Sequence, residues 1–349
     1  MHAKRSNANA LLALVLLLLS LPATSAIASE SGVVRTPSIL DPAGHTAQAI
    51  FDYGVLVVGI CAVIFVVVGL LMVVSLVRFR ARPGDDAREP AQVYGSIQLE
   101  LAWTVVPVLI VAVLGLVTAR TILALQKDEP PAGWLEVTVV GHQWWWEFEY
   151  PEYGFTTANE LHIPVSEAGD PRPTFLNLQS QDVIHSFWVP QLSWKTDLIP
   201  NRTNHLWIDP QETGLFVGAC AEYCGTQHAW MLLRVVVETP EEFARWVANQ
   251  QRPARENPSV REGREIFERT SCISCHRVRG TVANGRFGPD LTHMMSRDTL
   301  GSGVAPNNRE NLIDWIETPD HLKVGVLMPP MQLERRQIES MVDYLVTLE

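Results

Sequence analysis

Residues 220–231 read CAEYCGTQHAWM, and the organisation of the rest of the chain is set by what those twelve positions require. Two thiols (Cys220, Cys224), an imidazole (His228) and a thioether (Met231) fall within one short segment that reads as a loop between strands. Soft ligands of this kind favour copper over magnesium or calcium. His185, in the segment DVIHSFWVP, precedes the loop by 35 positions and offers a second imidazole returning across a sandwich. A structural zinc would use the two cysteines and two histidines but leave Met231 without a role. A disulfide between Cys220 and Cys224 is the other alternative in an oxidising compartment. The residues alone leave both open.

Outward from this loop, WLEVTVV, WWWEFEY, ELHIPV and TNHLWI are short β-branched and aromatic runs separated by turn residues, which predicts an all-β sandwich or barrel over residues 129–240. Strand alternation across the three tryptophans would put Trp144 and Trp146 on one face and Trp145 on the other. From Pro240 the composition changes. EEFARWVANQQ reads as a short helix and QRPARENPS as a polar linker, so that residues 241–258 join the β domain to a small helical domain over 259–349. Its last segment, RRQIESMVDYLVTL, places Ile338, Met341, Val342 and Leu345 on one helical face.

Towards the N-terminus the chain is apolar. A basic start, an apolar core from Leu11 to Leu21 and small residues at Ala26 and Ala28 predict a secretory signal over residues 1–28. Two longer runs, about 53–77 and 101–125, are long enough to span hydrocarbon as a helical hairpin within residues 29–128. The loop between them carries Arg78, Arg80, Arg82 and Arg88, which places it in the cytoplasm and everything beyond Lys127 on the outer side. Cys61 falls inside the first run and reads as a small buried hydrophobe.

The helical domain holds a second constellation, CISCH, from Cys272 to His276. Two thiols at this spacing followed by histidine form a c-type haem attachment motif, with thioethers to the vinyl groups and the imidazole on iron. A thioredoxin-like reading would need a surrounding βαβ pattern, whereas the GREIFERT lead-in is helical. Haem is attached on the outer face of the bacterial membrane, where the topology independently puts this domain. His293 and His321 read as surface residues.

The formal net charge is -11, which argues against nucleic acid as a partner. Between Glu129 and Arg245 there are 16 acidic and 5 basic residues, a surface suited to steering a cationic partner.

The segments DVIHSFWVP, LSWKTDLIPNR and CAEYCGTQHAWM closely resemble subunit II of cytochrome c oxidases, and the resemblance runs from about His45 to the end. It implies a multidomain chain: an N-terminal transmembrane helical hairpin, an all-β cupredoxin-like copper domain and an all-α class I cytochrome c domain. It implies two copper ions held by Cys220, Cys224, His185, His228, Met231 and the backbone carbonyl of Glu222. Trp144 matches the family's exposed tryptophan through which electrons arrive, although Trp145 departs from the usual tyrosine. Glu100, in LELAWTVVP at the cytoplasmic edge of the second span, matches a glutamate implicated in proton uptake.

Resemblance to class I cytochromes c implies one covalent haem c. Gly288 and Pro289 in RFGPDL would lie beside His276, and Met328, directly before proline in VLMPPM, would be the axial ligand ahead of Met331. The expected whole is a caa-type haem-copper oxidase subunit in the bacterial cytoplasmic membrane. Its implied partners are the catalytic subunit I, subunit III, membrane lipid, a cytochrome c or membrane donor complex, and magnesium at the subunit I interface through Glu222. A nitrous-oxide or nitric-oxide reductase component would need more histidines than remain, and a quinol oxidase subunit lacks the copper ligands. A free-standing electron carrier or copper-handling protein would be isolated without a large membrane subunit.

Overall fold

The computed structural model describes residues 34–35, 37–80, 89, 92–126, 133–166 and 173–349. The expected signal segment, Arg82 and Arg88 lie outside them.

Two long helices open the described chain, α1 (His45–Arg78) and α2 (Ile97–Leu125), both long and apolar enough to cross a membrane. At 1.5 Å per residue they run to about 50 and 43 Å, beyond the ~30 Å of a hydrocarbon core. The excess in α1 is explained at its start. Ala43 and His45 donate their backbone N–H groups to Gln191 O and Asp209 O at 2.8 and 3.0 Å, and Thr46 and Ala47 are buried, so the first turn is tied to the β domain. The second helix is tied at its other end, where the Trp207 indole donates to Leu125 O. Between the helices the hydroxyls of Tyr53 and Thr118 share a hydrogen bond of 2.7 Å. Cys61 is exposed on α1 rather than buried: the apolar run that holds it is a helix long enough to cross a membrane, and most of its side chains are exposed in the single chain.

The β domain is a sandwich. Its strands are β1 (Val34–Arg35), β2 (Glu136–His142), β3 (Trp145–Tyr150), β4 (Phe155–Ala158), β5 (Glu160–Pro164), β6 (Thr174–Ser180), β7 (His185–Trp188), β8 (Thr196–Leu198), β9 (Asn204–Ile208), β10 (Gly214–Cys220) and β11 (Leu232–Glu238). One sheet runs β5-β11-β10-β7-β8 with β1 added along β10, and the other runs β4-β3-β2-β6-β9. Alternate residues point inward: Trp146, Phe148 and Tyr150 of β3 are buried between the sheets while Trp145, Glu147 and Glu149 are not. Phe187, Phe216, Leu233 and Val235 meet them from the opposite sheet.

Helix α3 (Pro240–Gln250) is part of this domain and not of a linker. Thr239 and Glu242 form a capping box at its start, with Pro240 in the first turn. The face it buries carries Phe243 and Val247, and Trp246 stacks on His162 with ring centroids 4.2 Å apart. The segment after α3 is docked too, since Ala254 donates its N–H to Arg279 O at 3.0 Å.

The C-terminal domain packs α4 (Arg261–Arg269), α5 (Cys272–Cys275), α6 (Arg309–Glu317), α7 (Pro319–Leu322) and α8 (Arg335–Leu345) around Phe267, Ile313, Ile338, Met341 and Leu345. The expected helical domain is present, with one short ladder beside the helices, β12 (Thr299–Leu300) with β13 (Ala305–Pro306). His293 is a buried structural residue, not a surface one: its ring nitrogens lie 2.6 Å from Glu349 O and 2.8 Å from Arg252 O. His321 is on the surface as expected.

Candidate metal centre and haem cleft

Strands β10 and β11 are antiparallel neighbours, so the loop joining them must begin and end at one place. Cys220 closes β10 and donates its N–H to Met231 O at 3.0 Å, just ahead of Leu232 in β11. Strand β7 lies on the other side of β10, and Ala221 N–H donates to Ser186 O at 2.9 Å, which brings His185 alongside Cys220. The fold thus joins two segments 35 residues apart at one end of one sheet.

The six predicted positions converge. Cys220 Sγ is 3.8 Å from Cys224 Sγ, 3.9 Å from His185 Nδ1 and 3.2 Å from Glu222 O. Cys224 Sγ is 3.8 Å from both His228 Nδ1 and Met231 Sδ. Each imidazole therefore faces one sulfur, and the two sulfurs face each other. His185 and Met231 are fully buried, and His228 sits in a single 3-10 turn at the rim. The sulfurs are free thiols, far beyond the ~2.05 Å of a disulfide bond.

The electrostatics favour a thiolate. The hydrogen shared with Cys224, helped by His185 and opposed by burial, holds the Cys220 thiol well below the usual thiol range. The same shared hydrogen, with burial adding to it, pushes Cys224 upward. Burial works against a charged His185, but hydrogen bonds to Asp182 and Cys220 outweigh it and raise its pKa. Asp182 Oδ1 lies 2.8 Å from His185 Nε2, which leaves Nδ1 turned toward the sulfurs. A donor set of two thiols, two imidazoles, one thioether and one carbonyl fits copper: six donors exceed the four of a tetrahedral zinc site, which has no use for a thioether.

The second site is a cleft. A cavity of ≈ 1120 Å³ is lined by Cys272, Cys275, His276 and Met328 from the C-terminal domain and by Trp144 and Trp145 from the β domain. Helix α5 presents the two thiols, and His276 comes at its end. His276 Nδ1 donates to Pro289 O at 2.9 Å, leaving Nε2 free of that bond, and burial lowers its pKa toward the neutral form that binds metal. Gly288 packs against the ring face: a Cβ there would come within 2.6 Å of His276 Cε1. Met328 and Met331 both border the cavity, but Ser271 Oγ already donates to Met331 Sδ at 3.7 Å. A broad apolar cleft with a fixed imidazole, two thiols and a thioether fits a covalently tethered haem.

Trp144 lies between the two sites. It does not occupy a strand, as alternation predicts, but the two-residue turn Gln143–Trp144 between β2 and β3, because the hairpin has to reverse there. Its indole Nε1 donates to Cys224 O at 3.0 Å, and Gln143 Nε2 donates to the same carbonyl at 2.8 Å. Gly225 allows this approach: its φ is 116°, and a Cβ would lie 3.1 Å from Trp144 Cζ2. Trp145, on the outer face as expected, stacks on His142 at 4.2 Å.

Glu100 stands apart from both sites, in the first turn of α2. Sequence reasoning missed Asp182, Gln143, Gln227 and Lys323, whose side chains hydrogen-bond to His185, Cys224 O, Val324 O and Trp144 O respectively. Asp182 carried a signal in its spacing of three from His185, and the other three carried none.

Three family descriptions match the chain: "Cytochrome C oxidase subunit II, transmembrane domain" over residues 40–120, "Cytochrome C oxidase subunit II, periplasmic domain" over 171–239, and "Cytochrome c" over 260–349. The chain is 37% identical over 317 residues to a cytochrome c oxidase subunit 2 of Alkalihalophilus pseudofirmus, covering 89% of this chain and 90% of that one. It is 34% identical to that of Bacillus sp. strain PS3, covering 89% and 91%. Among solved structures, the periplasmic domain of subunit II of a Bradyrhizobium japonicum cytochrome oxidase is 31% identical, covering 35% of this chain and 97% of that one with a TM-score of 0.33.

Proposed function

This chain belongs to the cytochrome c oxidase subunit 2 family, and from that premise we propose that it is the electron-accepting subunit of a caa-type haem-copper oxidase. In this reading Cys220, Cys224, His185, His228, Met231 and the Glu222 carbonyl hold two copper ions, while Cys272 and Cys275 tether one haem c. His276 and Met328 would hold its iron. When bound, these groups would supply one-electron chemistry, and the chain would thereby pass electrons from a cytochrome c or membrane donor to the catalytic subunit that reduces oxygen with proton translocation.

The chain's own residues serve transfer rather than catalysis. The six donors leave no position for substrate, and their anchoring to three adjacent strands limits how far they move when charge changes. Trp144 connects the haem cleft to the carbonyl of a copper-binding cysteine and is assigned as the route into the centre. The chain is inserted in a membrane and carries a periplasmic domain. In the proposal α1 and α2 both span the bacterial cytoplasmic membrane, with a signal peptide removed and subunits I and III alongside. Glu100 is assigned to proton uptake, and Glu222 to magnesium at the subunit I interface.

The observation that carries this reading is the convergence of five side-chain donors, from segments 35 residues apart, beside a haem-sized cleft that opens on Trp144. Metal analysis with optical and EPR spectra of the purified chain tests it. Two coppers and one low-spin haem that survives acid-acetone extraction are expected. One zinc, or an extractable haem, would contradict the assignment.

A further inference from the structure

We infer that Lys323 is a positioning residue, seating the cytochrome domain on the Trp144 turn and holding that indole against the copper loop. The inference rests on the proposed role of Trp144 and adds to it the residue that keeps the contact in register.

Lys323 lies between α7 and the segment that carries Met328, and it is 2% exposed. Its Nζ donates to Trp144 O and to Gly301 O, each at 2.8 Å. One acceptor belongs to the β domain and the other to the cytochrome domain. Among the described residues no carboxylate pairs with it. A buried ammonium satisfied by carbonyls alone is costly, and an apolar side chain of the same length would pack more cheaply. What the ammonium adds is direction, because two short bonds to fixed carbonyls define where the turn must sit.

A second contact works from the copper side. Gln227, 1% exposed and adjacent to His228, donates through Nε2 to Val324 O at 2.8 Å. The segment around Lys323 is thereby gripped by the copper loop while its side chain grips the Trp144 turn. Trp144 is held at both ends, its carbonyl by the cytochrome domain and its indole by Cys224 O. Electron tunnelling falls steeply with distance, so a turn free to shift would weaken the route even with both domains intact.

The test uses the full chain in detergent and reads solvent exchange of the Trp144 indole N–H, assigned by its loss in Trp144→Phe. Lys323→Met is expected to speed that exchange at least tenfold. The Cys220 amide, bonded to Met231 within the loop, should exchange as in the parent chain. Haem and copper optical spectra should also stay those of the parent chain while haem-to-copper transfer slows. Should Lys323→Met fail to fold, Lys323→Gln keeps polarity but loses reach, and the same acceleration is expected. Unchanged indole exchange in a variant that retains copper and haem overturns the inference alone. A parent chain that binds neither group counts against the proposed function instead, since indole exchange can be read without them.

Discussion

Asp182 decides which nitrogen of His185 is available. With Oδ1 at 2.8 Å from Nε2, the carboxylate accepts a hydrogen bond from the Nε2 N–H and leaves the Nδ1 lone pair facing Cys220. Burial alone would raise the Asp182 pKa, but hydrogen bonds from His185, Val183 N–H and Gln143 N–H outweigh it and keep the carboxylate charged. Partners of metal-binding histidines contribute about 10–100-fold in affinity. Asp182→Asn, which can present its amide to the ring and favour the wrong tautomer, is therefore expected to weaken copper binding by about that factor. Chelator competition measures it, and parent-like affinity would deny Asp182 this role. The ligands themselves were legible in the sequence because four of the side chains fall within twelve residues and their chemistry is written in residue type. Lys323 was illegible, since nothing in HLKVGVLMPP distinguishes a buried ammonium from a surface one.

Helix α3 shows where reading by composition misleads. A polar, charged stretch between two domains suggests a connector, yet Phe243 and Val247 at i and i+4 are buried, and Trp246 beside them packs on Tyr150, Phe155 and His162 of the sandwich. The helix thus completes the β domain, and Phe243→Ala should cost about 3 kcal/mol by opening a cavity there. The measurement is a lower denaturation midpoint by tryptophan fluorescence with haem absorbance unmoved. A shift below about 1 kcal/mol, as expected of a surface residue, would restore the connector reading. The β strands themselves were legible, because alternation survives wherever one face is buried. It failed at Trp144 for a local reason: the pattern does not reveal which residues leave the ladder to make the turn, and there the turn carries the proposed electron route.

At the scale of the molecule, the meeting of the two redox domains is governed by buried groups of opposite sign, and pH should act on it from both directions. Glu160 of β5, 2% exposed, accepts from the Asp298 and Thr299 amides of the cytochrome domain at 2.9 and 3.1 Å. Burial raises its pKa, with Asp298 adding to the rise and the backbone bonds, His162 and Arg234 opposing it. A raised acid pKa means that the docked form binds more protons, so its contribution is fully present below 4.5 and is lost as pH rises through the docked value. Lys323 behaves oppositely. Burial brings it down to about 7 from 10.5, against the pull of Cys224. Its contribution is therefore present above 10.5 and lost as pH falls through about 7. Docking is expected to be loosest between the two docked values and to tighten on either side. Exchange of the Asp298 and Thr299 amides, corrected for intrinsic rates, reports this directly. Glu160→Gln should flatten only the acid limb and Lys323→Met only the alkaline one. A profile flat from pH 4 to 10 in the parent chain would mean that neither charge is felt across the interface, and that apolar packing alone holds the domains together.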